Sequence, residues 1–416
     1  MHLSQSGVHS MPDIFKRAYI AGIGGIGTSG VALLLLDAGI CVRGSDLRES
    51  SLTSALQACG AQIFFEPQPD CVKDASCLIV PAFFPASHPE LAAAREAGVP
   101  VLNRSQALSV FVRHCAEQVI VCTGSLARTQ AAMTCASALG PDAGWCAGAV
   151  TRGSGRPHAR LGTCMVLDID ERDFLNDPTL FHAFPQADVL VAGWFAPDFG
   201  YYPPGTSYEA FVSQLRRSAF RQVWQIAENA GQYDVLTYCA GSGDQKRPVS
   251  VAPSFDELDT AGRAACVLAA NYILHSTGAL PTVDPPLFVG WLERISPDAC
   301  HYHEIRMHPA SVYASVCSLA SRSGGAPVHV AIRPFISTFR SYSPAVWAQA
   351  LRPACEIVLV LPPYEGCPES DCLEFARQMT SAGLQARCLS LQDARKTAKP
   401  DEYWIWNGAP DLVGEA

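Results

Sequence analysis

Long apolar runs are missing from this sequence. The most apolar stretch, residues 30–39, contains an aspartate and is far shorter than the roughly 20 residues that a helix needs to span a bilayer. Residues 1–17 lack the basic start, apolar stretch and small-residue cleavage site of an export signal. We therefore expect no transmembrane helix, no membrane partner and a cytoplasmic location.

Charged residues are also scarce, at 17% of the 416 residues, and they do not cluster by sign. The 30 Lys and Arg are outnumbered by 39 Asp and Glu, which gives a formal net charge of -9. A protein that binds nucleic acid or anionic lipid usually carries a basic patch. We expect no nucleic-acid partner, and the sequence does not determine the oligomeric state.

No pair of cysteines has the C-x-x-C spacing, although the chain has 17 of them. This spacing marks zinc ribbons and thioredoxin-like motifs, and neither is predicted. Without an export signal, the cysteines are expected to be small buried apolar residues. His301, His303 and His308 invite a metal-site interpretation, but no cysteine or carboxylate spacing completes a tetrahedral set, so ordinary histidines are favoured.

Short apolar runs alternate with helical patterns from residue 18 to residue 117. The predicted strands are "AYIAGIGG", "ICVRGSD", "AQIFF", "ASCLIVPA" and "VPVLN". The helical patterns between them include "SGVALLLLDAG", "SLTSALQACG" and "HPELAAAREAG". This alternation is typical of a mostly parallel sheet with crossover helices.

Two further blocks of the same kind follow. The second has strands at "EQVIVCTGS", "TCMVLDID" and "ADVLVAGW" and helices at "SYEAFVSQLRRSA" and "TAGRAACVLAANYILHS", and it ends near the Pro-rich "LPTVDPPLF". The third has strands at "PVHVAIRP", "EIVLVLPP" and "LQARCLSL". The predicted fold is three consecutive α/β domains, with boundaries at 1–117, 118–293 and 294–416.

A G-x-G-x-x-G motif follows the first predicted strand and leads into a helix. Its glycines are Gly22, Gly24 and Gly27, with Gly25 between them, and Asp46 ends the next strand. Such a turn lets backbone approach a pyrophosphate, which the amides at the helix start then bind. NAD, FAD and a UDP-sugar all carry that group, and a glycine-rich turn that binds nothing is the plainer alternative.

The amino-acid sequence around this motif resembles that of the first domain of the Mur ligase family. The resemblance is carried by "GIGGIGTSGVALLLLDAGICVRGSDLRESSLTSALQACGAQIF" and by "HPELAAAREAGVPVLNRSQAL". It implies a Rossmann-like domain that binds a UDP-sugar. The residues it assigns to the UDP site are Gly22, Gly24, Gly25, Gly27, Ser45 and Asp46. Pro81, Phe83 and Phe84 stand where the family usually has small polar residues.

A second loop, "TGSLART", follows the strand at residue 117 and corresponds to the family's phosphate loop, T-G-T-x-G-K-T. The resemblance implies a central P-loop-type domain. It assigns ATP binding to Thr123, Gly124, Ser125, Arg128 and Thr129. Arg128 replaces the lysine and Ala127 the second glycine. An arginine is planar and bulkier than lysine, so charge is kept while geometry changes.

Further matches are shorter. An acidic strand end beginning at Asp168, together with Asp198, is implied to hold Mg²⁺, which takes oxygen ligands. A solvated strand end is the alternative reading of these acids. Glu304 begins a segment similar to the family's D-Y-A-H-H-P stretch in a C-terminal Rossmann-like ligase domain, which implies contact with the nucleotide or amine.

The resemblance implies an enzyme of peptidoglycan-precursor synthesis. ATP would phosphorylate the carboxylate of UDP-N-acetylmuramate, and the amine of L-alanine would attack the acyl phosphate, with Arg128 neutralising phosphate charge. ATP and Mg²⁺ would be needed, and no flavin or NAD is expected. Two alternatives remain: a UDP-sugar-binding homologue without ATP turnover, and an NAD-dependent oxidoreductase, which rests on the glycine motif alone.

Overall fold

Three sheets make up the chain, divided between two compact units. The computed structural model describes residues 12–81, 84–124, 127–140, 143–150, 157–192, 206–226, 234–239, 245–248, helical positions between 265 and 277, 293–295, 298–304, 309–334, 343–361 and 368–407. The first two sheets belong to one unit and the third sheet to the other. The α/β class predicted from sequence is confirmed.

The first sheet is parallel, with the strand order β3-β2-β1-β4-β5. Its strands are β1 (Arg17–Ala21), β2 (Cys41–Ser45), β3 (Gln62–Phe64), β4 (Cys77–Val80) and β5 (Val101–Asn103). The helices are α1 (Thr28–Asp37), α2 (Ser51–Ala58), α3 (Pro69–Lys73), α4 (Pro89–Ala97) and α5 (Arg104–Cys115), after a 3₁₀ turn at Asp13–Phe15. All five predicted strands are present.

Local sequence explains where these helices begin. Ser50 and Asn103 each accept a hydrogen bond from the amide three residues ahead and receive one in return, which forms a capping box. The strands are added to one side of β1 up to β3 and to its other side from β4 onwards, so the crevice at the carboxyl ends of β1 and β4 is the expected ligand position. The glycine motif lies at this crevice, because Gly22 directly follows β1.

The second sheet has eight strands, in the order β13-β12-β11-β10-β6-β9-β7-β8. Its strands are β6 (Gln118–Thr123), β7 (Ala143–Val150), β8 (Pro157–Arg160), β9 (Cys164–Asp168), β10 (Asp188–Val191), β11 (Gln222–Ile226), β12 (Asp234–Cys239) and β13 (Gln245–Pro248). The helices are α6 (Arg128–Leu139), α7 (Glu171–Asn176) and α8 (Tyr208–Arg217), with a 3₁₀ turn at Pro178–His182. The strands β10, β6, β9 and β7 are parallel, while β8, β12 and β13 pair antiparallel at the edges.

Helix α1, which follows the first strand of the first sheet, packs directly on the second sheet. A Cβ added at Gly30 would lie 2.9 Å from Cys146 Sγ on β7 and 3.7 Å from Ala159 Cβ on β8. A side chain larger than hydrogen at Gly30 would therefore force these elements apart. This contact joins the two layers within one compact unit.

The third sheet is mostly parallel, with the order β14-β15-β19-β16-β17-β18. Its strands are β14 (Glu293–Arg294), β15 (His301–Glu304), β16 (Val328–Ile332), β17 (Glu356–Leu361), β18 (Ala386–Ser390) and β19 (Tyr403–Asn407). The helices are α9 (Pro309–Arg322), α10 (Pro344–Leu351), α11 (Glu369–Ser381) and α12 (Leu391–Thr397). Its larger core cluster includes Trp347, Phe375 and Met379, all buried.

The cysteines within the described ranges are all free thiols. Burial raises the pKa of Cys77 and of Cys115 to about 12, so these thiols stay protonated. Of the described cysteines, however, five are buried, eight are partly buried and Cys41 is exposed, so the expectation of buried residues holds for only some of them. No helix in the described ranges is both long enough and apolar enough to cross a membrane.

Candidate functional site

The glycine turn between β1 and α1 is held in shape by its own backbone. Gly25 N–H donates to the Gly22 carbonyl at 3.0 Å, and Gly24 N–H donates to Asp46 Oδ2 at 2.8 Å. Asp46 therefore fixes the turn and takes up one of the glycine amides. The amides of Ile26 and Gly27 make no hydrogen bond among the described residues, so they remain for an anionic ligand at the start of α1.

Two glycines of this turn are required by geometry. Gly22 has a φ of +64°, and a Cβ there would lie 3.2 Å from Pro81 Cγ. A Cβ at Gly24 would lie 2.7 Å from Thr53 Cγ2, closer than real Cβ atoms approach their neighbours, and 3.0 Å from Asp46 Oδ2, which is a tight contact. The turn is thus tightly packed against β4 and α2, and its backbone is the surface that a ligand would meet.

Ser45, assigned to the UDP site by resemblance, donates its hydroxyl to a buried carboxylate. Its partner is Glu90 Oε2 at 2.8 Å. Glu90 is fully buried and also accepts the Tyr19 hydroxyl at 2.7 Å and Gln68 N–H at 2.8 Å. Burial and the Glu90 contact raise the pKa of Tyr19, which therefore stays protonated. Ser45 is held in one orientation at the end of β2, and only its acceptor lone pairs are left for a ligand.

The second loop follows β6, the central strand of the second sheet. Gly124 has a φ of +118°, and a Cβ there would lie 2.0 Å from the Ala192 carbonyl oxygen, so glycine is required. Ala127 begins α6 with a φ of −142°, outside the left-handed region, and is fully buried. The missing second glycine is therefore not needed for this backbone. Ser125 lies outside the described residues.

Two polar side chains beside this loop are buried without a hydrogen-bond partner in the described part of the chain. They are the Thr123 hydroxyl, at the end of β6, and the Gln130 amide, in the first turn of α6. Buried polar atoms are nearly always satisfied in proteins, so such atoms need an explanation. A polar ligand at the loop is one group that could satisfy them.

Arg128, which stands where the family has lysine, points at the acidic end of β9. Its Nε donates to Asp168 Oδ1 at 2.6 Å, and its Nη2 donates to Asp170 Oδ2 at 3.0 Å. Its Nη1 reaches the Gly124 carbonyl at 3.2 Å and lies 3.8 Å from Glu171 Oε2. The guanidinium thus ties its own loop to three acids.

Asp168, the predicted Mg²⁺ ligand, is engaged by hydrogen-bond donors on both oxygens. Besides Arg128, Thr129 Oγ1 donates to Asp168 Oδ2 at 2.6 Å and Gly148 N–H donates to the same oxygen at 3.0 Å. Three of its roughly four lone-pair positions are filled. This donor set fits a guanidinium better than Mg²⁺, and the described residues contain no group of three side chains able to hold a metal ion.

The pKa values of two neighbouring carboxyl groups shift in opposite directions: Asp170, just before α7, and Asp173, within it. Burial raises the pKa of Asp170, but Arg128 and Arg172 outweigh it and hold the pKa well below its usual range. Burial and the charge of Asp170 raise the pKa of Asp173. Ser105, in α5, donates its hydroxyl to Asp173 Oδ2.

Sequence reasoning missed Arg104, the first residue of α5. Its Nε donates to the Gly27 carbonyl at 3.0 Å and its Nη1 donates to the Asp168 carbonyl at 2.7 Å. It therefore contacts both the glycine turn and the acidic strand end. The capping-box pattern of Asn103 and Gln106 was a signal that could have located the start of this helix.

Several predicted residues lie outside the described residues or are described by their backbone alone. Asp198 and Phe83 are outside the described residues, and Glu304 is described as the last residue of β15 without its side chain. Among the described histidines, His301 contacts the Lys399 carbonyl through Nε2 at 2.9 Å, while His303 is buried.

Comparison with known sequences finds relatives for the first sheet and its helices. Residues 17–115 match the family described as "Mur ligase family, catalytic domain". The UDP-N-acetylmuramate–L-alanine ligase of Desulfosudis oleivorans is 41% identical over 122 residues. This match covers 29% of the chain and 26% of the relative's length.

Comparison with solved structures covers nearly the whole chain. The UDP-N-acetylmuramate-alanine ligase MurC of Thermotoga maritima matches with a TM-score of 0.66 and 19% identity, over 95% of this chain and 96% of that one. A murein peptide ligase from Psychrobacter arcticus matches with a TM-score of 0.63 and 15% identity, over 96% and 97%. At these identities the likeness concerns the fold. Residues 17–115 are therefore similar in sequence to the Mur ligase family, and the whole chain shares the multidomain fold of these solved structures.

Proposed function

We propose that this protein binds UDP-N-acetylmuramate at the glycine turn and acts in peptidoglycan-precursor synthesis as a UDP-N-acetylmuramate–L-alanine ligase-like protein. The observation that carries the proposal is the turn itself, with the amides of Ile26 and Gly27 directed to no acceptor in the described chain at the start of α1. The 41% identity to an alanine ligase lies in the same region and supports the choice of sugar nucleotide.

In this proposal the glycine turn binds the diphosphate, and Ser45 and Asp46 hold the turn and the neighbouring strand end in place. The loop residues Thr123, Gly124, Ser125 and Thr129 would receive ATP. Ligation of this kind depends on orientation and charge stabilisation. The buried Thr123 hydroxyl and Gln130 amide are polar groups that a bound phosphate would satisfy.

Domain boundaries at 1–117, 118–293 and 294–416 belong to the same proposal. The first domain would bind the UDP-sugar, the second ATP and the third the incoming amine, with Glu304 near the nucleotide or amine. Asp198 is a proposed metal ligand. Asp168 is not assigned to Mg²⁺, because its carboxylate is taken up by Arg128, Thr129 and Gly148.

A second candidate function is favoured by Arg128. In this candidate the protein binds the sugar nucleotide without turning over ATP and acts as a binding or regulatory protein. The guanidinium pairs with Asp168 and Asp170 and also contacts the Gly124 carbonyl, so the loop's positive charge is neutralised within the protein. A triphosphate would have to displace these contacts before it could use Arg128.

Two titrations and one assay separate these functions. Calorimetry with UDP-N-acetylmuramate should give saturable heat for both candidates, and NADH should give none. Phosphate release from ATP, in the presence of the sugar nucleotide and L-alanine, should occur only for a ligase. Saturable NADH binding without sugar-nucleotide binding would overturn both candidates.

The variant Arg128→Lys refines the assay. A lysine carries a compact charge and cannot bridge Asp168 and Asp170 as the planar guanidinium does. A rise of about tenfold or more in phosphate release would support a loop that has lost turnover. A fall in an active wild type would mean that arginine has become part of the ligase machinery.

A further inference from the structure

Arg104 joins the proposed sugar-nucleotide site to the acidic end of β9. Its Nε donates to the carbonyl of Gly27, the residue just before α1, and its Nη1 donates to the carbonyl of Asp168. Both of these contacts are made to backbone carbonyls, and Nη2 lies in addition 4.0 Å from Cys146 Sγ on β7. One planar side chain therefore connects two loops that lie on different sheets.

The last glycine of the motif is explained by this arginine. Gly27 has a φ of −86°, which any residue can adopt. A Cβ at Gly27 would, however, lie 3.0 Å from Arg104 Cδ and 3.2 Å from its Nε. Glycine at this position thus permits the close approach of Arg104, and a larger residue would push its side chain away by a few tenths of an ångström.

The far end of the connection reaches the second loop. The residue whose carbonyl accepts Arg104, Asp168, also accepts Arg128 Nε at 2.6 Å and the Thr129 hydroxyl at 2.6 Å through its carboxylate. The next two residues of α5 make parallel contacts, since Ser105 donates to Asp173 and Gln106 Nε2 donates to Asp177 Oδ2 at 2.7 Å. The first turn of α5 is anchored along the whole acidic segment.

We propose that Arg104 is a positioning residue that couples ligand binding at the glycine turn to the geometry of the acidic strand end and the second loop. A ligand held by the amides of Ile26 and Gly27 fixes the Gly27 peptide groups, and Arg104 transmits that position to the Asp168 carbonyl. Coupling through such contacts is reciprocal, so a ligand at the second loop strengthens binding at the first. The inference rests on the proposed function, because it requires a sugar nucleotide at the glycine turn.

Hydrogen exchange measured by mass spectrometry tests this on the full-length protein with one ligand. Each variant is saturated with UDP-N-acetylmuramate, and amide exchange is followed in two segments, residues 22–30 and residues 164–176. The first segment reports binding and the second reports transmission. Wild type should slow exchange in both, by about fivefold or more in the second.

Two substitutions at Arg104 test whether its two hydrogen bonds or its positive charge alone is responsible for the coupling. Arg104→Lys keeps the charge but has one donor nitrogen in place of the two, Nε and Nη1, that reach the separate carbonyls, and Arg104→Gln removes the charge. Both should keep protection at residues 22–30 and reduce the effect at residues 164–176 to less than about twofold. Arg113→Gln is the matched control, because Arg113 is exposed on the same helix and, within the described part of the chain, bonds only to the Ser109 carbonyl. It should behave like wild type.

The outcomes are distinct. Protection at residues 22–30 without any at residues 164–176 in wild type would overturn the coupling and leave the proposed function intact. Transmission that survives in Arg104→Lys would show that charge suffices and would also overturn it. Absence of protection in both segments of wild type would overturn the proposed function itself.

Discussion

Arg128 Nε lies 2.6 Å from Asp168 Oδ1, so the cation of the second loop and the acid of the neighbouring strand neutralise each other. The strand register brings Arg128 and Asp168 together, because Cys122 on β6 pairs with Asp168 on β9. The same loop that resembles a phosphate-binding loop therefore carries its own counterion. The positive charge of the loop is therefore committed to contacts within the protein.

Replacing Arg128 by methionine should destabilise the protein. The substitution keeps the length of the side chain but leaves Asp168, which is 1% exposed, and Asp170 short of a partner. Breaking a buried pair by removing one partner costs about 3 kcal/mol. Chemical denaturation should show this loss at pH 7 and a smaller one in acid, where Asp170 loses the ionised form that Arg128 stabilises. Arg113→Met, on the exposed face of α5, should change stability by less than about 0.5 kcal/mol.

Asp173→Asn should stabilise the protein at high pH. Its pKa is raised, so the folded state holds the proton more tightly than the unfolded chain, and ionisation at high pH costs stability. The variant should gain about 1 kcal/mol at pH 8, and the gain should shrink towards zero as the pH falls towards 4. Thermal unfolding across this pH range measures it.

Asp170→Asn should show the opposite sign and serves as the comparison. The pKa of Asp170 is lowered, so its ionised form contributes stability that is present above the unfolded pKa of about 4 and is lost as the pH falls below it. The variant should be less stable than wild type at pH 7, and the difference should narrow in acid. The same sign for both variants would contradict the assigned environments.

Gly124→Ala should prevent normal folding or cost more than about 3 kcal/mol. The Cβ would lie 2.0 Å from the Ala192 carbonyl oxygen, and the φ of +118° is unfavourable for alanine. Gly98→Ala, at the end of α4, is the control, with a φ of +68° in the left-handed region and no described atom within 4 Å of the added Cβ. It should cost about 1 kcal/mol, which denaturant titration of both variants can resolve.

Gly24→Ala should weaken binding of UDP-N-acetylmuramate by about tenfold or more, because the added Cβ pushes against Thr53 and Asp46 and moves the turn. Calorimetry measures the affinity. Gly60→Ala, where φ is +101° and no atom lies within 4 Å, tests a strained glycine away from the turn. It should leave the affinity unchanged. Equal losses in both variants would contradict binding at the glycine turn.

Much of the fold could be predicted from sequence because the buried parallel strands are continuous apolar runs. The strands β1, β4 and β6 are of this kind, and each was predicted. The strand β7 was missed because "AGWCAGAV" is rich in small residues and has no alternating pattern. Its Gly144 is small because the Gly162 amide nitrogen would lie 2.3 Å from a Cβ there, a contact that only the folded chain reveals.

The candidate site was predictable in position but not in its contacts. Strand ends followed by glycine turns marked both loops, since carboxyl ends of parallel strands collect ligand-binding residues. The pairing of Arg128 with Asp168 depends on which strands are neighbours, and no local pattern records that. Arg104 was missed for the same reason, because its contacts with the two loops are made to backbone carbonyls, which have no residue signature.

The first turn of α5 has a practical consequence for anyone cutting the gene at residue 117. Ser105 and Gln106 would lose the carboxylates of Asp173 and Asp177, and Arg104 would lose one of its two carbonyls. The face of α1 around Gly30 would be laid bare at the same time. An excised amino-terminal fragment should therefore aggregate in solution. A longer fragment that ends beyond the second sheet is the better choice for crystallisation and ligand screening.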